Sequence, residues 1–571
     1  MATQTVTGQE TAVTQRRISI LSGKRGRNFR EVVLAYLLLL PAFAIIFTFG
    51  IFPLAFSVYQ STLKGLNKIV GTYDGLGNYT KAIGNLAYVL GFWLAIIFLF
   101  LAVNAAIKGW RTVRKYGDKP WLLALPGFSI AASFGLLLRF IFLFLPEALG
   151  IGDKIRAATQ GGAEETSAEL FKQFLGEVWD IPLIQQAFWL TIGVLVIGLI
   201  LTYVFSRNHD PRRGEYLSAF IQIGVYLLGG IFLSWYTLTQ VQAAYAAAFE
   251  DGETLEIWAQ VITISAGFVL LLFSWMIWRS ASHQDSTKST LLRLAAGSIL
   301  IIGAWLLIGE LPAAAADGDK DWYQGLLNTV YYSIGSIPFQ FAISLMLATF
   351  LFQDIKGKGL FRVLFFLPYV TPAVGAAASF RILFSGRVDA PINRIITSLG
   401  FEPLGWLNES AGIFQLIAGE SLKLPTWATG PSLSLVVVII FGVWTFIGFN
   451  TVIFLAGLGA IPNELYEAAS IDGGGRWAQF RHITLPLLSP TLYFLTLYAV
   501  IGTFKAFNHI YVLRTSAALG TTDTASLVIF DAMKRDTRYG YAAALAVLLL
   551  IIVMGLTVIN NRVASKRVFY G

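Results

Sequence analysis

The chain has 571 residues, of which 56% are hydrophobic and only 13% charged, with mean hydropathy +0.66 and a formal net charge of +9. A soluble globular chain carries about 25% charged residues, so this composition excludes one and points to membrane spans. The basic excess is scattered between apolar runs instead of collecting on one face, which argues against nucleic acid, and the absence of cysteine removes disulfides, thiolate metal sites and cysteine nucleophiles.

Taken in order, residues 1–32 read as a polar cytosolic tail carrying Arg16, Arg17, Lys24, Arg25, Arg27 and Arg30, with no A-x-A-like cleavage site. A span needs roughly 20 apolar residues. About twelve segments meet that, near 33–59, 86–107, 121–146, 183–206, 215–240, 257–278, 293–312, 326–352, 361–385, 434–458, 489–512 and 541–561. The expected class is therefore an all-α polytopic membrane protein. Lys and Arg concentrate in KGWRTVRKYGDK, SRNHDPRRGE, WRSASHQDSTKSTLLR, QDIKGKGLFR and the C-terminal tail, whereas the alternate loops hold acids such as Glu164, Glu165, Glu169, Glu250, Asp251, Asp317 and Asp319. The positive-inside rule then places both termini in the cytosol. An amphipathic helix is expected within 147–182 around Leu170, Phe171 and Phe174. A larger external segment is expected at 386–433, with Trp406 and Trp427.

One polar stretch interrupts the greasy chain between two spans: EAASIDGGGRWAQFRHITLPLL, from Glu467 to Leu488. Pro462 and Asn463 suit a helix start. Leu465, Ala468, Ala469 and Ile471 form a narrow apolar face, and Gly473, Gly474 and Gly475 permit a reversal into a second short helix with Trp477 and Phe480. Arg476, Arg481 and His482 oppose insertion into lipid. Two helices this short suit docking into a groove on another protein.

The spacing of Glu467, Ala468, Ala469, Gly473, Ile483, Leu485 and Pro486 resembles the EAA loop of ABC-importer permeases of the binding-protein-dependent, carbohydrate-uptake family, in its MalF-like maltose/maltodextrin branch. The stretches YLLLLPAFAIIFTFGIFPLAFSVYQS, LLNTVYYSIGSIPFQFAISLMLATFL and GLFRVLFFLPYVTPAVGAAASFRILF are similar to the same branch. The resemblance covers about 30–90 and 320–571. It implies a six-span type I permease core formed by 33–85 (first span and an external amphipathic segment) and 321–571, the latter carrying the coupling loop 462–487. Residues 86–320 are then a departure, an inserted membrane region of about six further spans.

The resemblance also implies partners: a second, MalG-like permease subunit, two MalK-like ATPase subunits, an extracytoplasmic sugar-binding protein and a sugar, in a prokaryotic plasma membrane. No phosphate loop of the G-x-x-x-x-G-K-[ST] type occurs, so ATP and magnesium fall to the separate ATPase, and the chain itself is expected to need no cofactor and to be no enzyme. The coupling residues carried over are Glu467, Ala468, Ala469, Asp472, Gly473, Ile483, Leu485 and Pro486. Glu467 is expected to make a charged contact or a cap, and Gly473 to supply a backbone angle closed to other residues.

The sugar pathway is expected on the two flanking spans, at Trp444, Thr445, Phe446, Phe449 and Asn450 and at Gly502, Lys505, Phe507, Asn508 and His509. Packing against neighbouring helices competes as an explanation for the aromatics, and snorkelling for Lys505, Arg139 and Arg381. Pro368 and Pro372 should kink a core span, with Gly375 easing close approach. The four histidines offer no metal spacing. The rival reading is an ion-coupled secondary sugar transporter of about twelve spans, which would need two similar halves and intramembrane charge.

Overall fold

A computed structural model describes residues 24–65, 71–117, 120–162, 165–205, 212–281, 287–419, 423–425 and 428–567. Residues 1–23 of the expected 1–32 tail and Trp427 lie outside them; the rest of that expected tail, from Lys24, is already helical.

Apolar composition dictates helix, because in a bilayer every backbone N–H and C=O must be satisfied within its own segment or a closed barrel. Ten described helices are long and apolar enough to span, or twelve counting two sharply bent pairs. The N-terminal unit, through Val58, is a helix, α1 (Lys24–Ile46), continued through one π-helical turn at Phe47–Ile51 into α2 (Phe52–Gln60).

The second unit begins at Tyr59. A two-stranded antiparallel pair, β1 (Leu63–Lys64) and β2 (Thr72–Tyr73), precedes α3 (Gly77–Ile83). Buried Asn78 ties this segment together by donating to the Ser61 and Leu63 carbonyls at 2.9 and 2.8 Å. Six long helices follow: α4 (Leu86–Tyr116), α5 (Ala124–Gln160), α7 (Pro182–Phe205), α8 (Arg213–Asp251), α9 (Ile257–Ala281) and α10 (Thr287–Ala315), with the short α6 (Ser167–Trp179) between α5 and α7. These account for the six inserted spans. They pack mainly on one another, α9 on α10, α4 on α8, and α5 on both α7 and α8. Glycines let two of these helices approach closely, as is common in membranes: a Cβ on Gly224 would sit 2.6 Å from Ala131 Cβ, and one on Gly230 2.8 Å from Leu99.

The expected amphipathic helix is α6, opened by a capping box in which Thr166 and Glu169 satisfy each other's backbone N–H. It buries Leu170 and Val178, the latter in a cluster with Ile151 and Ile184. It lies inside the expected 147–182, in its second half, because α5 runs on to Gln160, well past the end of an ordinary span.

The remaining helices are α11 (Lys320–Phe352), α12 (Lys358–Val370), α13 (Ala373–Leu383), α14 (Pro391–Ser398), α15 (Ile413–Ala418), α16 (Leu433–Gly459), α17 (Asn463–Ile471), α18 (Arg476–Gln479), α19 (Leu485–Leu487), α20 (Ser489–Phe504), α21 (Asn508–Leu513), α22 (Ala525–Lys534) and α23 (Tyr539–Arg567). Two expected spans are corrected here. The segment 361–385 is not one rod: α12 and α13 meet at 92°, at Thr371-Pro372, where proline can neither donate its N–H nor leave its neighbour helical. The segment 489–512 ends its regular helix at Phe504, and α21 forms separately after a break at Lys505–Phe507.

The core pair is α11 against α16, built from small and polar groups. Ser344 Oγ donates to the Ile447 carbonyl at 2.8 Å, and Thr451 Oγ1 donates to Ser344 O at 3.4 Å. Buried Trp322, Phe504, Ala525 and Leu545 knit α11, α20, α22 and α23 together. Asn393 organises the 386–433 segment: it donates to the Arg387 and Leu404 carbonyls at 3.0 Å each and accepts from Trp406 Nε1 at 2.8 Å.

Candidate functional site

Between α16 and α20 the chain forms a compact elbow. Pro462 holds the cap position of α17, with no side-chain cap from Asn463. The helix ends at Ile471, and Gly473 takes φ +79°, a left-handed angle that costs a side chain roughly 1–2 kcal/mol. Gly474 N–H then returns to the Ala469 carbonyl at 2.7 Å. The second arm differs from the single short helix expected: α18 lasts one turn and passes into a π-helical turn at Phe480–Thr484 before α19.

The arms are tied from inside. Tyr466 Oη and Thr484 Oγ1 lie 3.0 Å apart. Gln479 Nε2 donates to Ser470 Oγ at 2.8 Å and to the Gly474 carbonyl at 3.2 Å. Tyr466, Ile483 and Leu487 also rest on a core of Ala348, Phe454, Leu458, Leu488 and Leu495, so the elbow is seated on α11, α16 and α20.

The residues singled out by pattern divide accordingly. Glu467, Ala468, Asp472, Gly473, Leu485 and Pro486 are exposed, Ala469 and Ile483 half-buried. Leu465 and Ala468 share the outer face with Ile471, which is 87% exposed, and Trp477 is 70% exposed while stacking on Phe480 at 5.6 Å. Among the described residues Glu467 has no hydrogen-bond or ion-pair partner; its carboxylate stands free on the outer face. Apolar surface this open, at the end of a rigidly held elbow, is suited to burial against a partner. Sequence reasoning missed Tyr466, Ser470, Gln479 and Thr484, which meet one another between the arms. Their only sequence signal is a polar side to both short helices.

The ten pathway residues do not form one surface. Asn450 is buried, 2% exposed, and its Nδ2 lies 3.5 Å from Gln340 Oε1 in the α11–α16 seam. Thr445 Oγ1 is turned back onto the Phe441 carbonyl at 2.9 Å. His509 stacks on Phe441 at 5.0 Å and shares a hydrogen bond of 3.1 Å with Tyr332 Oη. Phe507 packs on Tyr511 and Phe530 at 5.5 and 4.8 Å. Trp444 packs on Phe380 at 5.2 Å while keeping an exposed edge. Gly502, Lys505 and Asn508 are exposed, and a Cβ on Gly502 would meet nothing within 4 Å. Arg381 does not simply snorkel: its guanidinium donates to the Val512 carbonyl at 3.2 Å.

Phe446 and Phe449 belong instead to an aromatic wall with two tyrosines that pattern reading passed over. Tyr369, next to the proline bend, stacks on Phe449 at 4.7 Å and meets Phe446 at 5.8 Å. Tyr498 of α20 approaches Phe449 at 5.1 Å, and the Tyr369 and Tyr498 hydroxyls lie 3.3 Å apart. Rings with adjacent hydroxyls offer both stacking and hydrogen bonding. Close by, the break at Lys505–Phe507 leaves carbonyls free of helical partners; Ser526 Oγ serves that of Phe504 at 2.9 Å and Thr524 Oγ1 that of Ala506 at 3.5 Å.

The end of the bundle opposite the elbow carries a charged knot. Arg514 makes two hydrogen bonds to Asp531, at 2.8 and 3.3 Å, and lies 3.7 Å from Asp523. Asp536 takes Arg538 at 2.5 Å and Arg535 at 3.1 Å. Asp523, Asp531, Arg535, Asp536 and Arg538, with Asp319, Asp321 and Tyr541, line a cavity of about 280 Å³. The Asp531 hydrogen bonds hold the Arg514 guanidinium above its usual range, burial pushes the Asp523 carboxyl up, and Arg538 pulls Asp536 down. Among the described residues no group of three or more His, Asp or Glu is arranged to hold a metal.

Comparison with known proteins places the geometry. Residues 314–568 match the family described as "Binding-protein-dependent transport system inner membrane component". The chain is 30% identical over 278 residues to the arabinooligosaccharides transport system permease protein AraP of Bacillus subtilis, covering 48% of this chain and 79% of that one. It is 31% identical to the lactose transport system permease protein LacF of Rhizobium radiobacter, covering 44% and 78%. It is 30% identical to the trehalose/maltose transport system permease protein MalF of Thermococcus litoralis, covering 43% and 75%. The family match begins at residue 314, so the helices from α4 to α9 fall outside it.

Proposed function

We propose, starting from the family to which this chain belongs, the binding-protein-dependent transport system inner membrane components, that it is the sugar-conducting permease subunit of an ATP-driven importer, with maltose, maltodextrin or a related disaccharide or oligosaccharide as cargo. The observation that carries the reading is the elbow: an exposed Glu467–Ala468 face, held rigid by the Tyr466–Thr484 and Gln479–Ser470 ties, seated on the three helices α11, α16 and α20.

In this reading a separate ATPase pair grips the outer face of the elbow, and closure of its nucleotide sites moves the elbow and the α20 helix behind it. The motion is a shift between two populations, biased by contacts made better in one than the other. A second permease subunit completes the pathway, and an extracytoplasmic binding protein delivers sugar to the opposite end. Relatives named for arabinooligosaccharides, lactose and trehalose/maltose support an oligosaccharide cargo. The wall of Tyr369, Phe446, Phe449 and Tyr498 supplies rings for the C–H faces of a sugar, while exposed Lys505 and Asn508 supply polar groups further along. Both termini and the elbow are assigned to the cytosol on charge asymmetry.

The test is reconstitution with the partner subunits in proteoliposomes, followed by ATP hydrolysis with the binding protein loaded with each candidate sugar in turn. One sugar class is expected to stimulate hydrolysis, and Gly473→Pro to insert normally yet abolish the stimulation. Sugar uptake by the chain alone under an ion gradient would overturn the reading in favour of a secondary transporter.

A further inference from the structure

We infer that the inserted bundle carries a binding site for an anionic phospholipid headgroup, where the C-terminal end of α4 meets the N-terminal ends of α5 and α8 at the face of the membrane that the charge asymmetry assigns to the cytosol. The run from Leu86 to Ile107 is 22 residues, about 33 Å of helix, enough to cross the hydrocarbon. Lys108, Arg111, Arg114 and Lys115 therefore stand at the headgroup level and beyond, and all four are exposed. Their spacing sets them within an arc of about 120° on one side of the helix.

Tertiary packing brings two more cations to the same place. The Arg212 guanidinium lies 3.7 Å from the centre of the Tyr116 ring, which docks the start of α8 on the end of α4, and Arg213 follows it and donates to the Phe205 carbonyl at the end of α7. Glu215 is the one acid on the described parts of these helix ends, against six cations. Lys108, Arg111 and Arg114 pair with no carboxylate among the described residues. Trp110 and Trp121, both half-exposed, pack at 5.9 Å beside the cations, as interfacial indoles do at the headgroup layer. The start of α8, a 39-residue helix, and the start of α5 add the positive ends of two helix dipoles.

A loop satisfying the positive-inside rule needs only scattered Lys and Arg; it does not need three helix ends folded so that the cations and an indole pair converge. A lipid phosphate fits better than a soluble anion, because the exposed indole pair stands among the cations, with Trp110 between Lys108 and Arg111 on α4, and indoles favour the headgroup interface of a bilayer.

The purified full-length chain in detergent would be titrated with cardiolipin and, separately, phosphatidylcholine, with bound copies counted by native mass spectrometry. Cardiolipin is expected to be retained in preference. Lys108→Gln/Arg111→Gln/Arg114→Gln, three exposed changes, should weaken retention on the order of a hundredfold, about fivefold per cation. Arg111→Lys/Arg114→Lys should retain it, and Lys172→Gln at the other end of the bundle should leave it unchanged. Equal retention of the two lipids, undiminished retention in the triple Gln variant, or displacement of cardiolipin by millimolar pyrophosphate would each overturn the assignment.

Discussion

The hydroxyl of Tyr466, on the first arm of the elbow, stands 3.0 Å from that of Thr484, at the end of the second, across a chain reversal of 18 residues. It links α17 directly to the turn that leads into α20. Tyr466→Phe keeps the ring in its apolar seat and removes only that link, so stability should fall by about 1 kcal/mol. Coupling should suffer more: ATP hydrolysis in the reconstituted complex should lose most of its response to loaded binding protein. A variant with full response would show that the tie is structural only.

Gly448 and Gly502 make a contrasting pair. A Cβ on Gly448 would lie 1.8 Å from the Phe365 carbonyl oxygen, where α12 crosses α16, and backbone cannot yield as a side chain can. Gly448→Ala should cost about 3 kcal/mol or prevent folding. Gly502→Ala meets open space and should leave the thermal midpoint within about 1 °C, since surface changes away from contacts stay within about 0.5 kcal/mol. Thermal unfolding of both variants in one detergent decides the point.

Arg514 holds the segment between α21 and α22 against Asp531 through two charge-assisted hydrogen bonds, both side chains largely shielded. Arg514→Ala should cost about 1.5–3 kcal/mol, and Arg514→Lys should recover less than half, because an ammonium cannot make the paired contact. A Tm for Arg514→Lys equal to that of the native chain would contradict the geometry.

The N-terminus of α6 should loosen in acid. Hydrogen bonds from Thr166 hold the Glu169 carboxyl below 4.5. A carboxyl with a depressed folded pKa contributes stability that is present above its unfolded pKa and is lost as pH falls through the folded one. Amide exchange at Thr166–Leu170 should therefore quicken, beyond the intrinsic pH effect, below about pH 4.5. The same amides in Glu169→Gln should lack that extra acceleration.

Tyr369 and Tyr498 test the aromatic wall. Tyr369→Phe keeps the stack on Phe449 and deletes one hydroxyl of the 3.3 Å pair, so it should raise the sugar concentration for half-maximal uptake with little change in protein yield. Tyr369→Ala, which also opens the wall, should abolish uptake. Equal uptake kinetics in both variants would remove the wall from the pathway.

Much of this was open to reading without coordinates, because hydropathy and short motifs are local properties. A run such as LSLVVVIIFGVWTFIGFNTVIFLAGLG must be helical in lipid whatever it touches, and the six inserted spans, the proline bend and the elbow followed from similar local rules. Gly473 was legible for the same reason: three glycines after a short helix leave few other ways to reverse the chain.

What only the tertiary structure decided is which side of each helix meets what. On an all-apolar helix such as α16 no amphipathic stripe marks an inner face. Asn450, on that account, reads from sequence as a stronger pathway residue than Phe449, yet folding puts it against Gln340 and leaves Phe449 in the wall with Tyr369 and Tyr498. Lipid solvates apolar side chains as readily as a protein core does, so the pattern that betrays burial in water is silent here. Inside and outside are assigned instead by small-residue contacts and by hydrogen bonds between residues about 100 positions apart.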